Sequence, residues 1–260
     1  NWKKALSNGK CQKNCSMNQR KTLCPLGFWC LSKVIERHSI LEQSEVSGAD
    51  YYLQSETTAN RSELSLQSKA LFASSQKVKA VENKTVITTF KKLFKEAPIE
   101  VKTWADWEEK VSQNKPSLIV ALPHTEYNGT TASLEISNNT IKSIQVRPSH
   151  LRPTETDMPP MVALLGCDTT GSGQEYSSFI WRFKNNGASI VFGTMATVLG
   201  SHAAKSACML LKGIASKKAK QNRIGEIMRQ MKRDAIKSGL IMALSIVTFG
   251  DADWKISGKQ

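Results

Sequence analysis

The sequence predicts an α/β fold in which a mostly parallel β-sheet is covered by helices on both faces. Three observations favour this class. Several short segments are apolar at nearly every position, as strands buried on both faces of a sheet are, and they include LIVAL, MVALL and SIVF. Segments with the apolar spacing of amphipathic helices alternate with these strands. Hydrophobic residues make up 40% and charged residues 22% of the 260 positions, which is typical of a globular domain.

The alternation of strands and helices begins at about residue 66. The elements expected in this half are a strand at 69–78, a helix at 82–97, a strand at 99–104, a helix at 105–113 and a strand at 116–124. The first helix is predicted because Val86, Phe90 and Leu93 repeat at helical spacing. The last strand is continuously apolar and is bounded by Pro116 and Pro123.

The second half begins with a hairpin and then returns to alternation. The elements expected here are a hairpin at 133–146, a strand at 159–167, a helix at 175–188, a strand at 189–195, helices at 202–216 and 223–240, and a strand at 245–251. The pair Asn138-Asn139 is the turn signal of the hairpin. Two prolines open the strand at 159–167, and Gly187 closes the helix before the next strand.

Residues 1–65 differ from the rest of the chain and are expected to form a separate N-terminal segment, before a main domain at 66–260. The segment carries four of the six cysteines and a long polar run that is typical of a linker. Because the chain does not begin with Met, it is expected to be a piece of a longer protein. It has no secretory signal and no apolar stretch near ~18 residues, so no membrane association is expected. Cysteine usage favours a reducing, cytoplasmic location.

The chain is strongly basic, with a formal net charge of +14 and a pI near 9.6. Ten of the 33 residues from Lys205 to Lys237 are Lys or Arg, against only Glu226 and Asp234. Such a run can serve as a surface for nucleic acid or a nucleoprotein, or it can be a solvated helix face. The second interpretation is favoured, because no aromatic residue lies in the run to stack on bases. Direct nucleic-acid contact is therefore not the preferred prediction.

The glycine-containing loop after the strand at 159–167 could in principle hold a phosphate. A phosphate-binding loop that starts at Gly166 would require a lysine at position 172, where the chain has Ser172. The dinucleotide-binding pattern would require a glycine at position 168, where the chain has Asp168. Both nucleotide interpretations are therefore disfavoured.

Cys167 stands at the end of this strand, and His124 ends the apolar strand at 116–124. Because sites of such sheets gather beyond the carboxyl ends of the strands, two adjacent strands would bring these groups to one edge. A thiol reacts as thiolate and needs an imidazole or a positive dipole nearby, so the pair is a candidate for nucleophilic catalysis. Single Cys and His residues at strand ends can also be inert. His150 is expected at the surface, and His202 as a capping or packed residue.

The N-terminal cysteines Cys11, Cys15, Cys24 and Cys30 could hold a structural zinc ion, and a version with three of them and His38 is also possible. Their spacing is looser than usual, so an alternative is that Cys24 and Cys30 pack beside Phe28 and Trp29. Such a zinc ion would take no part in catalysis, for which no cofactor is expected. Cys208, within a predicted helix, is expected in the core.

Four segments together resemble the CHAT domain, the caspase-like peptidase domain associated with TPR repeats. They are CPLGFWCLSKVIERH, LIVALPHTE, MVALLGCDTTG and SIVTFGDADWKI. The resemblance covers residues 66–260 for the peptidase and 1–65 for the segment before it. It implies a caspase-like three-layer sandwich and a preceding TPR region. Within CHAT proteins the organisation is similar to that of TPR-CHAT proteases that partner single-chain type III-E CRISPR effectors.

The resemblance implies a cysteine endopeptidase in which Cys167 is the nucleophile and His124 its acid–base partner. The oxyanion would be met by the backbone N–H of Cys167, which follows Gly166, and by one just after His124. Here the chain departs from the family, which commonly has glycine after the histidine, whereas this chain has Thr125. Asp168 either shapes the substrate pocket or caps the following turn.

The function expected from this resemblance is cleavage of a specific protein partner after activation, in bacterial defence. An RNA-guided effector or another protein would activate it through the repeat region. A catalytically silent scaffold that binds a nucleoprotein or protein partner is the alternative, and Thr125 supports it. A zinc-stapled nucleic-acid module ranks last.

Overall fold

The main body of the protein is built around a six-stranded sheet. The computed structural model describes residues 24–35, 37, 63–66, 69–128, 131–152, 154, 158–167, 169, 179–216 and 223–257. In spatial order, the strands of this sheet are β10 Ile246–Phe249, β9 Ile190–Thr194, β8 Met161–Leu164, β4 Leu118–Leu122, β2 Ala70–Ser74 and β3 Ile99–Val101. All neighbours are parallel except β10, which pairs antiparallel with β9 at the edge.

Helices cover both faces of the sheet. They are α1 Trp29–Ser32, α2 Ala80–Phe94, α3 Trp104–Asn114, α4 Phe179–Asn185, α5 Gly200–Ile214 and α6 Ile224–Lys237, with short 3₁₀ turns at Pro25–Gly27, Ser143–Gln145, Pro148–His150 and Ile241–Ser245. The core on one face packs α2, α5 and α6 against the sheet. The core on the other face packs α3 and α4. The predicted mixed α/β class with a mostly parallel, doubly covered sheet is confirmed.

The central strands show why each is apolar throughout. In β4, Leu118 and Val120 belong to the core beneath α2 and α5, whereas Ile119 and Ala121 belong to the core beneath α3 and α4. Successive side chains of a strand point to opposite faces, so a strand covered on both sides has no solvent-facing positions. All five β4 residues are buried.

A second, three-stranded sheet continues directly from β4. It contains β5 His124–Asn128, β6 Thr131–Ile136 and β7 Asn139–Lys142, paired antiparallel in the order β5-β6-β7. The predicted hairpin corresponds to β6 and β7, which are joined at Ser137 and Asn138. The prediction that His124 ends the apolar strand is wrong in detail, because β4 ends at Leu122 and His124 begins β5.

The N-terminal residues described lie against α6 and the last strands. Gly225, in the first turn of α6, has no room for a Cβ because Val34 and Ala252 lie against it. The guanidinium of Arg233 donates to the carbonyl of Leu31 at 2.6 Å. Farther along, β1 Glu63–Ser65 pairs parallel with β11 Lys255–Ser257. The division at residue 65 stays a prediction. Among the helices of the described ranges, none has the length and apolar character needed to cross a membrane.

The surface prediction for His150 is wrong, and the predicted solvated face of the basic run fails at two of the described residues. His150 is only 2% exposed, because it packs edge-on against Trp104. Its Nδ1 accepts from the backbone N–H of Arg147. In the basic run, Lys232 and Arg233 are 8% and 7% exposed, so this part of α6 is not a solvated face. Cys208 is buried, as predicted.

Candidate active site

Strands β4 and β8 are neighbours in the main sheet and end at the same edge. Their register pairs Ala121 with Leu164, and the ladder extends by one more bond from the N–H of Leu165 to the carbonyl of Ala121. His124 and Cys167 each lie three residues beyond this last pair. The two functional candidates therefore leave the sheet from adjacent strands at equivalent positions, as the sequence predicts.

Gly166 brings the cysteine loop against the histidine loop. A Cβ at Gly166 would collide with the carbonyl oxygen of Pro123 and would lie 2.9 Å from its Cγ. Only glycine fits this close backbone approach. The residue that follows Gly166 is Cys167, and the residue that follows Pro123 is His124. The contact therefore joins the two segments that carry the thiol and the imidazole.

Cys167 is half-buried and lies beside the loop that follows β9. Its Sγ is 3.5 Å from the carbonyl oxygen of Val198, within hydrogen-bonding range for a thiol donor. Cys208, in contrast, is buried in the core. A nucleophile must be accessible to its substrate, so Cys167 is the better candidate of the two.

Two buried threonines hold the loop that carries Cys167. The hydroxyl of Thr169 donates to the carbonyl of Leu164 at 2.9 Å and accepts from the N–H of Thr194 at 2.9 Å. The hydroxyl of Thr194 donates to the carbonyl of Gly166. Both threonines are 1% exposed, so these bonds are shielded from water. The last residue of β9 thus fixes the backbone immediately before the thiol.

His124 faces a carboxylate on its own strand. Its Nε2 is 3.2 Å from Oε1 of Glu126, which also accepts from the ammonium of Lys77 at 3.0 Å. Residues two apart on a strand share a face, so this pairing follows from the register of β5. The hydrogen bond and charge of Lys77, followed by His124, lower the pKa of Glu126 below its usual range. An ionised Glu126 can orient the imidazole, although its side chain is 57% exposed.

Thr125 points to the opposite face of β5. Its side chain is 6% exposed, and its Oγ1 has no hydrogen-bond partner among the residues that the structure describes. Thr125 pairs with Leu134, which lies in the core beneath the three-stranded sheet. Its hydroxyl is therefore not presented on the face that carries His124, and any role next to the imidazole falls to its backbone N–H.

Several predicted site residues lie outside the described ranges: Asp168, Cys11, Cys15 and His38. The two remaining cysteines of the N-terminal cluster, Cys24 and Cys30, are free and half-buried. Within the described part of the chain, no group of three or more His, Cys, Asp or Glu side chains is placed to hold a metal ion. The zinc site stays a prediction.

Sequence reasoning missed Glu126, Thr169 and Thr194. For Glu126 a signal existed, since His124-x-Glu126 on a strand places both side chains on one face. Thr169 and Thr194 are separated by 24 other residues and meet only because β8 and β9 are neighbours. No local sequence pattern predicts that contact.

The assembled edge has the parts that acyl transfer requires. It presents a thiol just beyond β8, an imidazole on the adjacent segment, and a carboxylate within hydrogen-bonding distance of that imidazole. Such a set can attack a carbonyl carbon and protonate a leaving amine.

Comparisons with known proteins show the same fold in solved structures. No protein-family model matches the chain, and no curated protein matches its sequence. The complex of the Porphyromonas gingivalis RgpB pro- and mature domains aligns with a TM-score of 0.56 at 12% identity, over 80% of this chain and 54% of that chain. The Arg specific cysteine proteinase gingipain R (RGPB) aligns with a TM-score of 0.60 at 13% identity, over 86% and 55%. The chain thus spans about half the length of these proteins, and the similarity confirms the predicted caspase-like fold class.

Proposed function

We propose that this protein is a cysteine endopeptidase in which Cys167 is the nucleophile and His124 the acid–base partner. The observation that carries the proposal is the equivalent placement of the two residues beyond β4 and β8, locked by the contact of Gly166 with Pro123. The description of the structural neighbour gingipain R as a cysteine proteinase supports the same chemistry.

In the proposed reaction the Cys167 thiol gives its proton to His124 and, as thiolate, attacks the scissile carbonyl carbon, whose π electrons move to oxygen. The resulting oxyanion accepts hydrogen bonds from the backbone N–H of Cys167 and from that of Thr125. His124 then gives a proton to the leaving amine as the C–N bond breaks, leaving a thioester. Water, deprotonated by His124, hydrolyses the thioester and regenerates the thiol.

The specific role is cleavage of a protein partner after activation, in bacterial defence. This part rests on the similarity of four segments to CHAT domains, including the TPR-CHAT proteases of type III-E CRISPR effectors. An effector protein bound to a preceding repeat region would be the activator, and the setting would be cytoplasmic. The contact between Cys167 Sγ and the Val198 carbonyl is compatible with a thiol that must turn before it reacts.

The test is co-incubation of the protein with the proteins encoded beside it, scored for one discrete fragment. Cys167→Ala is expected to abolish this fragment while the Tm changes by no more than a few degrees, because the half-buried thiol packs little. Cys208→Ala is the matched control and should cut normally if it folds. A Cys167→Ala protein that still produces the fragment would remove the proposal.

A silent scaffold is the second candidate, favoured by Thr125 where the resembled family commonly has glycine. In that case wild type and Cys167→Ala would bind the same partner and neither would cut it. The co-incubation separates the two functions, because binding without any fragment supports the scaffold alone.

A further inference from the structure

A cationic cavity lies between the N-terminal residues and the edge strand β10, outside the candidate active site. Its volume is about 170 Å³. Four of its lining residues carry positive charge: Lys33 and Arg37 from the N-terminal segment, and Arg229 and Lys232 from α6. No Asp or Glu of the described ranges lines it. Four cations of like sign around one small space repel each other unless an anion joins them.

Lys232 gives the main evidence that this cavity binds an anion. Its side chain lines the cavity but is only 8% exposed, and among the described residues it has no hydrogen-bond or ion-pair partner. A buried ammonium loses its hydration shell and must be compensated by an opposite charge. Burial lowers the pKa of Lys232, the nearby Cys30 opposes this, and Arg37 reinforces it.

The other three cations of the cavity differ in the partners that they already have. Arg229 is held by Glu226 on the same helix and by the carbonyl of Ser32. The guanidinium of Arg37 contacts the sulfur of Met195 at 3.3 Å, which is a weak acceptor for a charged donor. Arg37 therefore retains donors for a stronger acceptor, and Lys33 is exposed at the rim.

We propose that this cavity binds a small phosphate-type anion: inorganic phosphate, pyrophosphate or a phosphate monoester. Lys232 and Arg37 would be its principal ligands, with Arg229 and Lys33 adding charge. A tetrahedral oxyanion fits because its several oxygens can accept at once from cations that arrive from different elements. Arg37 presents a planar fork that bonds two such oxygens, while Lys232 supplies a compact charge from the interior.

The anion would fasten the N-terminal segment to the main body. Arg37 and Lys33 belong to the segment, whereas Lys232 and Arg229 belong to α6, and the N–H of Gly250 already donates to the carbonyl of Arg37 at 3.0 Å. A ligand that bridges these elements binds the folded chain and not the unfolded one, so it raises the Tm.

Thermal unfolding in phosphate or pyrophosphate, compared with chloride at equal ionic strength and pH, tests the site. For wild type we expect a saturable increase in Tm of about 3 °C at ten times the dissociation constant. Lys232→Met should lose this increase, and in chloride its Tm should equal or exceed that of wild type because an unpaired buried charge is gone. Lys212→Gln removes an exposed lysine of α5 outside the cavity and should behave as wild type.

Titration calorimetry with pyrophosphate gives an independent readout if Lys232→Met fails to fold. Arg37→Gln, at the mouth of the cavity, should weaken binding by about tenfold. Equal anion stabilisation in wild type and Lys232→Met would overturn the proposal. A second result would also overturn it: the Tm of wild type does not change with phosphate, and Lys232→Met has a lower Tm than wild type in chloride. The chain itself would then supply the counter-charge of Lys232.

Discussion

At the scale of single residues, the candidate site depends on backbone positions as much as on side chains. Gly166 is required because the Pro123 carbonyl occupies the space of a Cβ. Thr125 follows the imidazole, but its side chain turns into the core. The departure from glycine at this position therefore concerns the backbone conformation available next to His124, and the hydroxyl is not needed for the proposed chemistry.

Thr125→Val tests that conclusion. Valine keeps the shape of threonine and removes a buried hydroxyl without a partner in the described structure, so the free energy of unfolding should rise by about 1 kcal/mol. The backbone N–H remains, so the cleavage rate should stay within about twofold of wild type. Urea denaturation and the fragment assay measure the two quantities. A tenfold slower variant with unchanged stability would assign the hydroxyl itself to the reaction.

Glu126 is the residue that most changes the interpretation of His124. The carboxylate lies 3.2 Å from the imidazole Nε2, yet it is more than half exposed and is shared with Lys77. Exposed pairs of this kind are weak in water. Glu126 can therefore orient the ring, but it is too exposed to act as a buried charge partner.

At the scale of elements, β9 supports the backbone next to Cys167, the proposed nucleophile. Its last residue, Thr194, bonds to the Gly166 carbonyl, and Thr169 bonds to both β8 and β9. These bonds connect two neighbouring parallel strands at their carboxyl ends. The start of the loop that carries Cys167 is consequently held from β9 as well as from β8.

Thr194→Val should loosen that loop. Removing the hydroxyl leaves the Gly166 carbonyl without this donor, and the free energy of unfolding should fall by about 1–3 kcal/mol. Cleavage should decline more than in Thr248→Val, a control at a buried threonine on the adjacent strand β10. Equal cleavage by the two variants would show that β9 does not position Cys167.

The same scale shows how far sequence reasoning reaches. Most strands of the main sheet are predictable because they are apolar at nearly every position, and helices α2, α3, α5 and α6 are predictable because their apolar residues repeat at helical spacing. Strand β5 is not predictable, since HTEYN lacks an apolar pattern and no sequence signal separates it from the apolar run that ends at Pro123. The three-residue strands β1 and β11 are short and mostly polar, so they carry no apolar run that would indicate a strand. The contacts of His150 and of Thr194 arise only when distant elements pack, so no local pattern can report them.

At the scale of the whole molecule, the fold buries several ionisable groups beyond the candidate site. His150 packs against Trp104, and burial lowers its pKa although Glu108 opposes that effect. Burial by itself would raise the pKa of Glu108, but hydrogen bonds from Arg147 and Ser149 outweigh it and lower the pKa. On this face of the sheet, the surroundings therefore favour the neutral form of His150 and the ionised form of Glu108.

This arrangement predicts how stability depends on pH. Below about pH 6.5, His150 binds a proton more readily in the unfolded chain than in the folded chain. The free energy of unfolding therefore decreases as the pH is lowered. In His150→Asn, which keeps an acceptor for the Arg147 N–H, the decrease in Tm from pH 7.5 to 5 should be smaller. The hydrogen bonds from Arg147 and Ser149 that lower the pKa of Glu108 remain in the variant, so this contribution is common to both proteins. Parallel Tm curves for the two proteins would contradict the placement of a buried neutral histidine.

The most direct measurement of the central claim is site-resolved labelling of the thiols by a peptide-based electrophile, read by mass spectrometry. In the presence of the activating partner, Cys167 should react much faster than the half-buried Cys30, and His124→Ala should remove that advantage. Iodoacetamide carries no peptide to recognise and reports only the exposure and thiolate fraction of each thiol, so its preference for Cys167 over Cys30 should be smaller than that of the peptide reagent. If the peptide reagent labels Cys167 no faster than Cys30, or at the same rate without His124, the two residues do not form a catalytic pair.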